Sequence, residues 1–309
     1  MNIAFLFPGQ GAQTPGFLGH LPAHRAVTAT LDEASDVLAL DARGLDTEVA
    51  LASTVAVQLS ALIAGVAVAR ALNEEGVEAQ AVAGLSSGAY TAAVACGALA
   101  FATALSLMKL RAELMQGAYP HGFGMAALVG LDEAHVVRLV NELHREDRPL
   151  YVANLNAQRQ IVLAGSDQAL EVAIEAAKRA GARKAQRMAV SVPSHCALMD
   201  SVAAKMSEAF VGVALVQPRI PYVGNVRARV LLDPHEIARD LATNVAHTVR
   251  WHDSMTNLYE RGTRYFVESP PGSVLTGLIR ESFDDAQARS VADTPIATIA
   301  YLTGSPGSI

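Results

Sequence analysis

The sequence predicts an α/β fold with a parallel-sheet core and a second, inserted unit. Three observations carry that prediction. Short apolar runs closed by Gly or Pro alternate with long helical stretches. The middle of the chain instead reads β-α-β-β-α-β, the ferredoxin-like order. A Gly-x-Ser-x-Gly motif falls where one apolar run turns into a helix, as in an α/β-hydrolase-like core. The expected division is a core of residues 1–121 and 191–309 around an insert of residues 122–190.

Ile3 to Phe7 is a continuous apolar run ended by Pro8-Gly9, the pattern of a strand buried on both faces. Thr54 to Asn73 is helical and stops at Glu74-Glu75-Gly76. Ala81 to Gly84 is a second strand, and Ser87–Ala95 and Phe101–Gln116 are helices. The insert opens with a strand, Met125–Val129, and an amphipathic helix from Asp132 to Arg145 whose apolar face is Val136, Val137, Leu139, Val140 and Leu143. Strands Leu150–Asn154 and Gln160–Ala164 flank a polar turn. Ser166 caps a helix to about Ala180, and Lys184–Ala189 closes the unit. Beyond it, Ser194-His195 is expected to open a helix to about Phe210, with Ser194 as N-cap. Pro218–Val223, Arg229–Leu232 and Arg264–Val267 follow as strands, with helices at Pro234–Val245, His252–Glu260 and Gly272–Phe283. Thr303–Ile309, rich in Gly, Ser and Pro, reads as a loose tail.

Composition narrows the function. Only 17% of the 309 residues are charged and 51% are hydrophobic, which excludes disorder and leaves a thin charged surface. A net charge of −6 without any block of like charges argues against nucleic acid as a partner. Two cysteines, Cys96 and Cys196, build no disulfide framework. Val49–Ala69 and Ala79–Met108 are uncharged for 21 and 30 residues, long enough to span a bilayer. Both are mostly Ala and Val, and they are interrupted by residues such as Gln58 and Ser60 or Ser86 and Ser87. They therefore read as buried segments of a soluble, cytoplasmic protein without a membrane partner. The apolar run Ile3–Phe7 is too short for a secretory signal.

Four places point to chemistry. In Gly84-Leu85-Ser86-Ser87-Gly88 the glycines allow a tight turn that lifts the Ser86 hydroxyl to a helix N-terminus, where backbone N–H groups can stabilise an oxyanion. A Gly/Ser turn without chemistry is the plainer reading, and the strand–turn–helix setting favours the nucleophile. Of nine histidines, His195 stands where the chain returns from the insert and can face Ser86 as its base. Phe7-Pro8-Gly9-Gln10-Gly11 ends the first strand, where α/β ligand sites form, and Gln10 is a candidate for an oxyanion hole. Arg111 lies on a helix made mostly of Ala, Leu and Met. Such a guanidinium either binds a carboxylate or snorkels from the helix end. No cluster has metal-ligand spacing, and no Walker-type phosphate loop is present.

Together these residues resemble the malonyl-CoA:acyl carrier protein transacylase family. The resemblance rests on Phe7 to Gly11, the Ser86 elbow, Arg111 with Met115-Gln116, and Asn154 with Gln160 to Gly165. It continues through Val192-Pro193-Ser194-His195-Cys196, Asn225-Val226, Val249-Arg250-Trp251 and Pro271 to Leu275. It implies a Ser86 nucleophile, His195 as general base and an oxyanion hole at Gln10 and Ser87, the latter through its backbone N–H. It also implies Arg111 on the free malonyl carboxylate and further substrate contacts from Asn154 and Gln160. A main-chain carbonyl near Asn244 would orient His195. The implied substrates are malonyl-CoA and an acyl carrier protein. No cofactor is held permanently, coenzyme A entering only as a thioester.

The family's elbow usually reads Gly-His-Ser-Leu-Gly-Glu, whereas here Leu85 and Ala89 stand at the His and Glu positions. That departure resembles a specialised branch, the malonyl-transferring (epsilon) subunit of malonate decarboxylase. A fatty-acid transacylase, a serine thioesterase and a non-catalytic carrier-docking subunit are the alternatives. Hydrolases order their triad Ser…Asp/Glu…His, and no Asp between Ser86 and His195 stands in a suggestive setting.

Overall fold

The computed structural model describes residues 2–304. The first part of the chain gives β1 (Ile3–Phe7), α1 (Arg25–Leu38), α2 (Thr54–Glu74), β2 (Ala81–Gly84), α3 (Gly88–Ala95) and α4 (Phe101–Ala118). The middle gives β3 (Phe123–Val129), α5 (Glu133–Leu143), β4 (Leu150–Ala157), β5 (Gln160–Ser166), α6 (Asp167–Arg179) and β6 (Lys184–Arg187). The last part gives α7 (Asp200–Ala209), β7 (Tyr222–Val223), β8 (Val230–Leu231), α8 (Pro234–Thr243) and α9 (Trp251–Glu260). It ends with β9 (Tyr265–Glu268), α10 (Val274–Ser282), β10 (Gln287–Ser290) and α11 (Ile296–Thr303).

One sheet runs β10-β9-β1-β2-β7-β8 and is parallel except for β8, which pairs antiparallel with β7 at the edge. Every residue of β1 is buried because both faces are covered. Ile3, Phe5 and Phe7 pack with the α1–α4 side, while Ala4 and Leu6 pack with Trp251, Met255 and Leu278 of α9 and α10. The uncharged run at Val49–Ala69 forms a 3₁₀ turn at Ala50–Ala52 and then most of α2. Helix α2 is the one helix among the described residues long and apolar enough to cross a membrane, and 83% of its apolar window is buried within the protein. The second run becomes β2, the elbow, α3 and the start of α4.

The second sheet runs β4-β5-β3-β6 and is antiparallel throughout. Helices α5 and α6 cover one face, and Met125, Ala153, Val162 and Ala164 on the other pack on Cys196. The two sheets are joined where β4 meets the chain before α9. Leu155 N–H donates to the Val249 carbonyl at 2.8 Å, and Val249 N–H donates to that of Ala153 at 2.9 Å.

Several elements depart from expectation. Ser194-His195 does not open a helix: His195 has φ 66°, outside the helical region, and α7 begins only at Asp200. Ser194 caps nothing, and its hydroxyl faces the Met125 sulfur instead. The helix expected to Val245 ends at Thr243 and tightens into a 3₁₀ turn over Asn244–Ala246. Three elements lie outside the expected set. The buried face of α1 is built partly from Ala and Thr, and its N-cap is His24. β10 is a polar edge strand, and α11 extends to Thr303, the first residue of the expected tail. The rest of that tail, residues 305–309, lies outside the described residues.

Candidate active site

The elbow is built by close backbone packing. A Cβ on Gly84 would lie 2.0 Å from the backbone of Gly88, and one on Gly88 would lie 2.1 Å from the Phe7 carbonyl oxygen. Only glycine lets β1, β2 and α3 meet this closely. Ser86 between them adopts φ 58°, a left-handed conformation that costs about 1–3 kcal/mol for a residue with a Cβ. Its hydroxyl is thereby aimed away from β2 and toward the loop that carries His195.

His195 Nε2 lies 2.8 Å from Ser86 Oγ, and His195 Nδ1 lies 2.8 Å from the Asn244 carbonyl oxygen. A carbonyl only accepts, so Nδ1 carries the proton and Nε2 offers its lone pair to the serine hydroxyl. The His195 N–H donates to the Val245 carbonyl, which fixes the loop. Burial pushes the His195 pKa down to about 4, and the nearby Arg111 charge adds to the effect. The imidazole is therefore neutral near pH 7, the form a base requires.

Arg111 rises from α4 and is completely buried, so the snorkelling alternative does not hold. Its Nη1 donates to Gln58 Oε1 at 2.7 Å, and its Nη2 points at Ser86 Oγ (3.4 Å) and Asn244 Oδ1 (3.5 Å). No carboxylate lies within ion-pair distance of it among the described residues, and its Nε has no protein partner. Burial pulls its pKa down, but a guanidinium stays charged. A buried cation without a counter-charge is costly to keep. Its setting suits an anion bound beside Ser86.

Gln10 sits in the loop after β1, with its Oε1 accepting from Gln58 Nε2 at 3.1 Å. Gln58 thus touches both Gln10 and Arg111. Ser87 immediately precedes α3, so its backbone N–H belongs to the unsatisfied start of that helix. A cleft of about 160 Å³ runs over Ser86 between the two sheets, walled by Gly9 to Ala12, Leu85, His195, Val274 and Leu275 on one side. Met125, Asn154, Asn156 and Val162 form the other side. Gln160 does not join the cleft: it starts β5 opposite Val129 and Ala157, at the hairpin end of the second sheet. Asn156, at an irregularity of β4 between Leu155 and Ala157, lines the cleft beside Asn154 with a buried Oδ1 that has no partner among the described residues. A larger cavity of about 520 Å³ between α2 and residues 214–219 shares no residue with this cluster.

Gln58, Asn156 and Asn225 escaped the sequence reading as site residues. Gln58 does carry a signal, an amide within the Ala-, Leu- and Val-rich part of its helix. Among the described residues no group of three or more His, Cys, Asp or Glu side chains is arranged to hold a metal ion.

A serine on a glycine-bounded elbow within hydrogen-bond distance of a neutral histidine has the geometry that acyl transfer requires, and residues 4–300 match the family described as "Acyl transferase domain". The malonyl CoA-acyl carrier protein transacylase of Escherichia coli (strain K12) is 37% identical over 309 residues, covering 97% of this chain and 99% of its own. The crystal structure of an acyl-carrier-protein S-malonyltransferase from Burkholderia pseudomallei 1710b superposes with a TM-score of 0.91 at 37% identity, covering 97% and 99% of the two chains. A malonyl-transacylase solved in complex with its type II PKS acyl-carrier protein superposes with a TM-score of 0.92 at 36% identity, covering 98% and 100%. The chain is an acyltransferase, and it belongs to the malonyl-CoA:acyl carrier protein transacylase family.

Proposed function

We propose that the chain moves a malonyl group from malonyl-CoA to the phosphopantetheine-type thiol of an acyl carrier protein through a malonyl-serine ester. The observation that carries this reading is Arg111, a buried cation without an acidic partner among the described residues, placed 3.4 Å from the Ser86 hydroxyl. A malonyl thioester has a free carboxylate two carbons from its reacting carbonyl, so one substrate satisfies both groups.

Ser86 Oγ attacks the thioester carbonyl while its proton passes to His195 Nε2. The Asn244 carbonyl holds the imidazolium by accepting from Nδ1. The oxyanion is held by the Ser87 N–H and the backbone N–H of Gln10, whose side chain is engaged with Gln58. The C–S bond then breaks, and coenzyme A leaves as the thiol with the proton from His195. The carrier thiol enters by the reverse sequence: His195 takes its proton, sulfur attacks the ester, and Ser86 Oγ leaves reprotonated. Asn154 and Asn156 supply amides along the cleft for the pantetheine arm. In this reading no cofactor is permanently bound, and the protein works in the cytoplasm. The core of residues 1–121 and 191–309 is α/β-hydrolase-like, and residues 122–190 form a ferredoxin-like subdomain that closes the cleft.

Incubation with malonyl-CoA alone tests the proposal. A rapid gain of one malonyl group on Ser86 with slow coenzyme A turnover, accelerated by a carrier protein, is the expected result. Steady coenzyme A release without an acceptor would make the protein a thioesterase. A second reading places the same transfer inside malonate decarboxylase. It is favoured by the elbow, where Leu85 lines the cleft and Ala89 is fully buried in place of polar family residues. Preference for a carrier with a coenzyme A-derived prosthetic group over a phosphopantetheine carrier would select it.

A further inference from the structure

We infer that Asn225 is a positioning residue for the nucleophile: its side-chain amide continues the β2–β7 ladder past both strand ends and holds the Ser86 elbow in its left-handed form. This rests on the acyl-transfer reading only in taking Ser86 as the reacting group. β2 and β7 pair in parallel at Val82 with Tyr222 and Ala83 with Val223, and there the ladder stops. Beyond it Gly84 to Ser86 turn sharply, with Ser86 at φ 58°. The backbone groups of this buried turn still require partners. Asn225 supplies two of them: its Oδ1 accepts the Ser86 N–H at 2.9 Å, and its Nδ2 donates to the Gly84 carbonyl at 2.8 Å. These partners fix which way the amide points, since an N–H only donates and a carbonyl only accepts. An Asp of the same shape keeps the first bond and loses the second.

Asn225 is held in turn from behind. The N–H groups of Asn225 and Val226 donate to the Asp240 carboxylate at 3.2 and 3.1 Å, and Tyr222 Oη donates to it at 2.8 Å. The Asn225 carbonyl accepts from the Arg250 N–H at 3.0 Å. Asn225, Asp240 and Tyr222 are all buried. One residue, its side chain on the elbow and its backbone on Asp240 and Arg250, thereby ties the elbow to β7, α8 and the start of α9. Asn225 is absent from the cleft wall, so it acts through Ser86 and not on the acyl group.

Labelling by a fluorophosphonate, in which Ser86 Oγ displaces fluoride from phosphorus, reads the nucleophile without any acyl-CoA. Asn225→Ala and Asn225→Asp are expected to label about 10–100-fold more slowly, the scale of a misplaced reacting group. Malonyl-enzyme formation should slow in parallel, with KM for malonyl-CoA within about twofold of wild type and the acid limb of the pH profile unmoved. Labelling at the wild-type rate in a cooperatively folding Asn225→Ala protein overturns the inference. Amide exchange in the wild type tests it independently of any variant. The Ser86 N–H should be protected like those of Val82 and Ala83, and exchange at the rate of a free amide would overturn the inference. Wild-type protein that labels but transfers no malonyl refutes the proposed substrate, while slow labelling of the variants still supports the clamp.

Discussion

Arg111 Nη2 lies 3.4 Å from Ser86 Oγ, so a fully buried cation and the hydroxyl that His195 polarises share one polar centre. The arrangement has two consequences that pull in opposite directions. The guanidinium is placed to recognise an anion next to the hydroxyl, and it is also a buried charge that no acidic side chain among the described residues neutralises.

Replacing Arg111 separates these effects. Arg111→Met should lower kcat/KM for malonyl-CoA by at least about 100-fold, the scale of losing paired charge-assisted bonds, while acetyl-CoA changes by less than about threefold. The melting temperature should hold or rise, because removing an unpaired buried charge relieves a desolvation cost. Side-by-side kinetics with the two thioesters and a thermal melt check both. Unchanged selectivity would remove the assigned role of Arg111.

The pH profile follows from His195. Its pKa is pushed down to about 4, so the acid limb of kcat/KM should fall near pH 4–5 and not near the ordinary histidine value of about 6.5. For stability the sign is that of a depressed group. The unfolded chain binds the proton first, so stability is fully present above about pH 6.5 and is lost as pH falls toward 4. Because the Arg111 charge is the second cause of the shift, Arg111→Met should move the limb upward. Rate measurements and melts from pH 4 to 8 test both statements.

How much of this was legible in the sequence depended on whether a residue's role was local. Ser86 announced itself because its glycines and neighbouring strand and helix lie within a few residues. Arg111 stood out against its own apolar helix. His195 is marked by its place in the chain, but its backbone is not: the N-cap signal at Ser194 is local, whereas the observed φ of 66° accompanies a bond to the carbonyl of Val245, 50 residues further on. Gln160 was carried by resemblance alone, and the hairpin geometry of β4 and β5 sets it apart from the cleft. Asn225 and Gln58 act across 139 and 53 residues of chain, a relation that periodicity does not contain.

The elbow glycines give a contrast with a built-in control. Gly84→Ala and Gly88→Ala place a methyl about 2 Å from backbone atoms that have nowhere to go, and should cost several kcal/mol or abolish soluble expression. Gly277 lies inside α10 with nothing within 4 Å of its Cβ position. Gly277→Ala should therefore stabilise by about 0.5–1 kcal/mol through helix propensity alone. Denaturant melts of the three variants check the ranking.

Gln58 offers the last test, since it bonds both Arg111 and Gln10. Gln58→Leu keeps the volume of the buried side chain and removes the 2.7 Å acceptor for Arg111 Nη1 and the 3.1 Å donor to Gln10. Arg111 remains charged and buried but loses its best-formed partner, so its guanidinium plane is no longer fixed facing Ser86. Malonyl-CoA should then bind more weakly, with KM raised about tenfold, the effect of one charged hydrogen bond. The Gln10 loop loosens at the same time, so kcat should fall for acetyl as well as malonyl thioesters. That common fall separates Gln58 from Arg111, whose replacement spares acetyl transfer. If Gln58→Leu altered malonyl KM alone, Gln10 would owe nothing to Gln58, and the oxyanion loop would be positioned by its own turn.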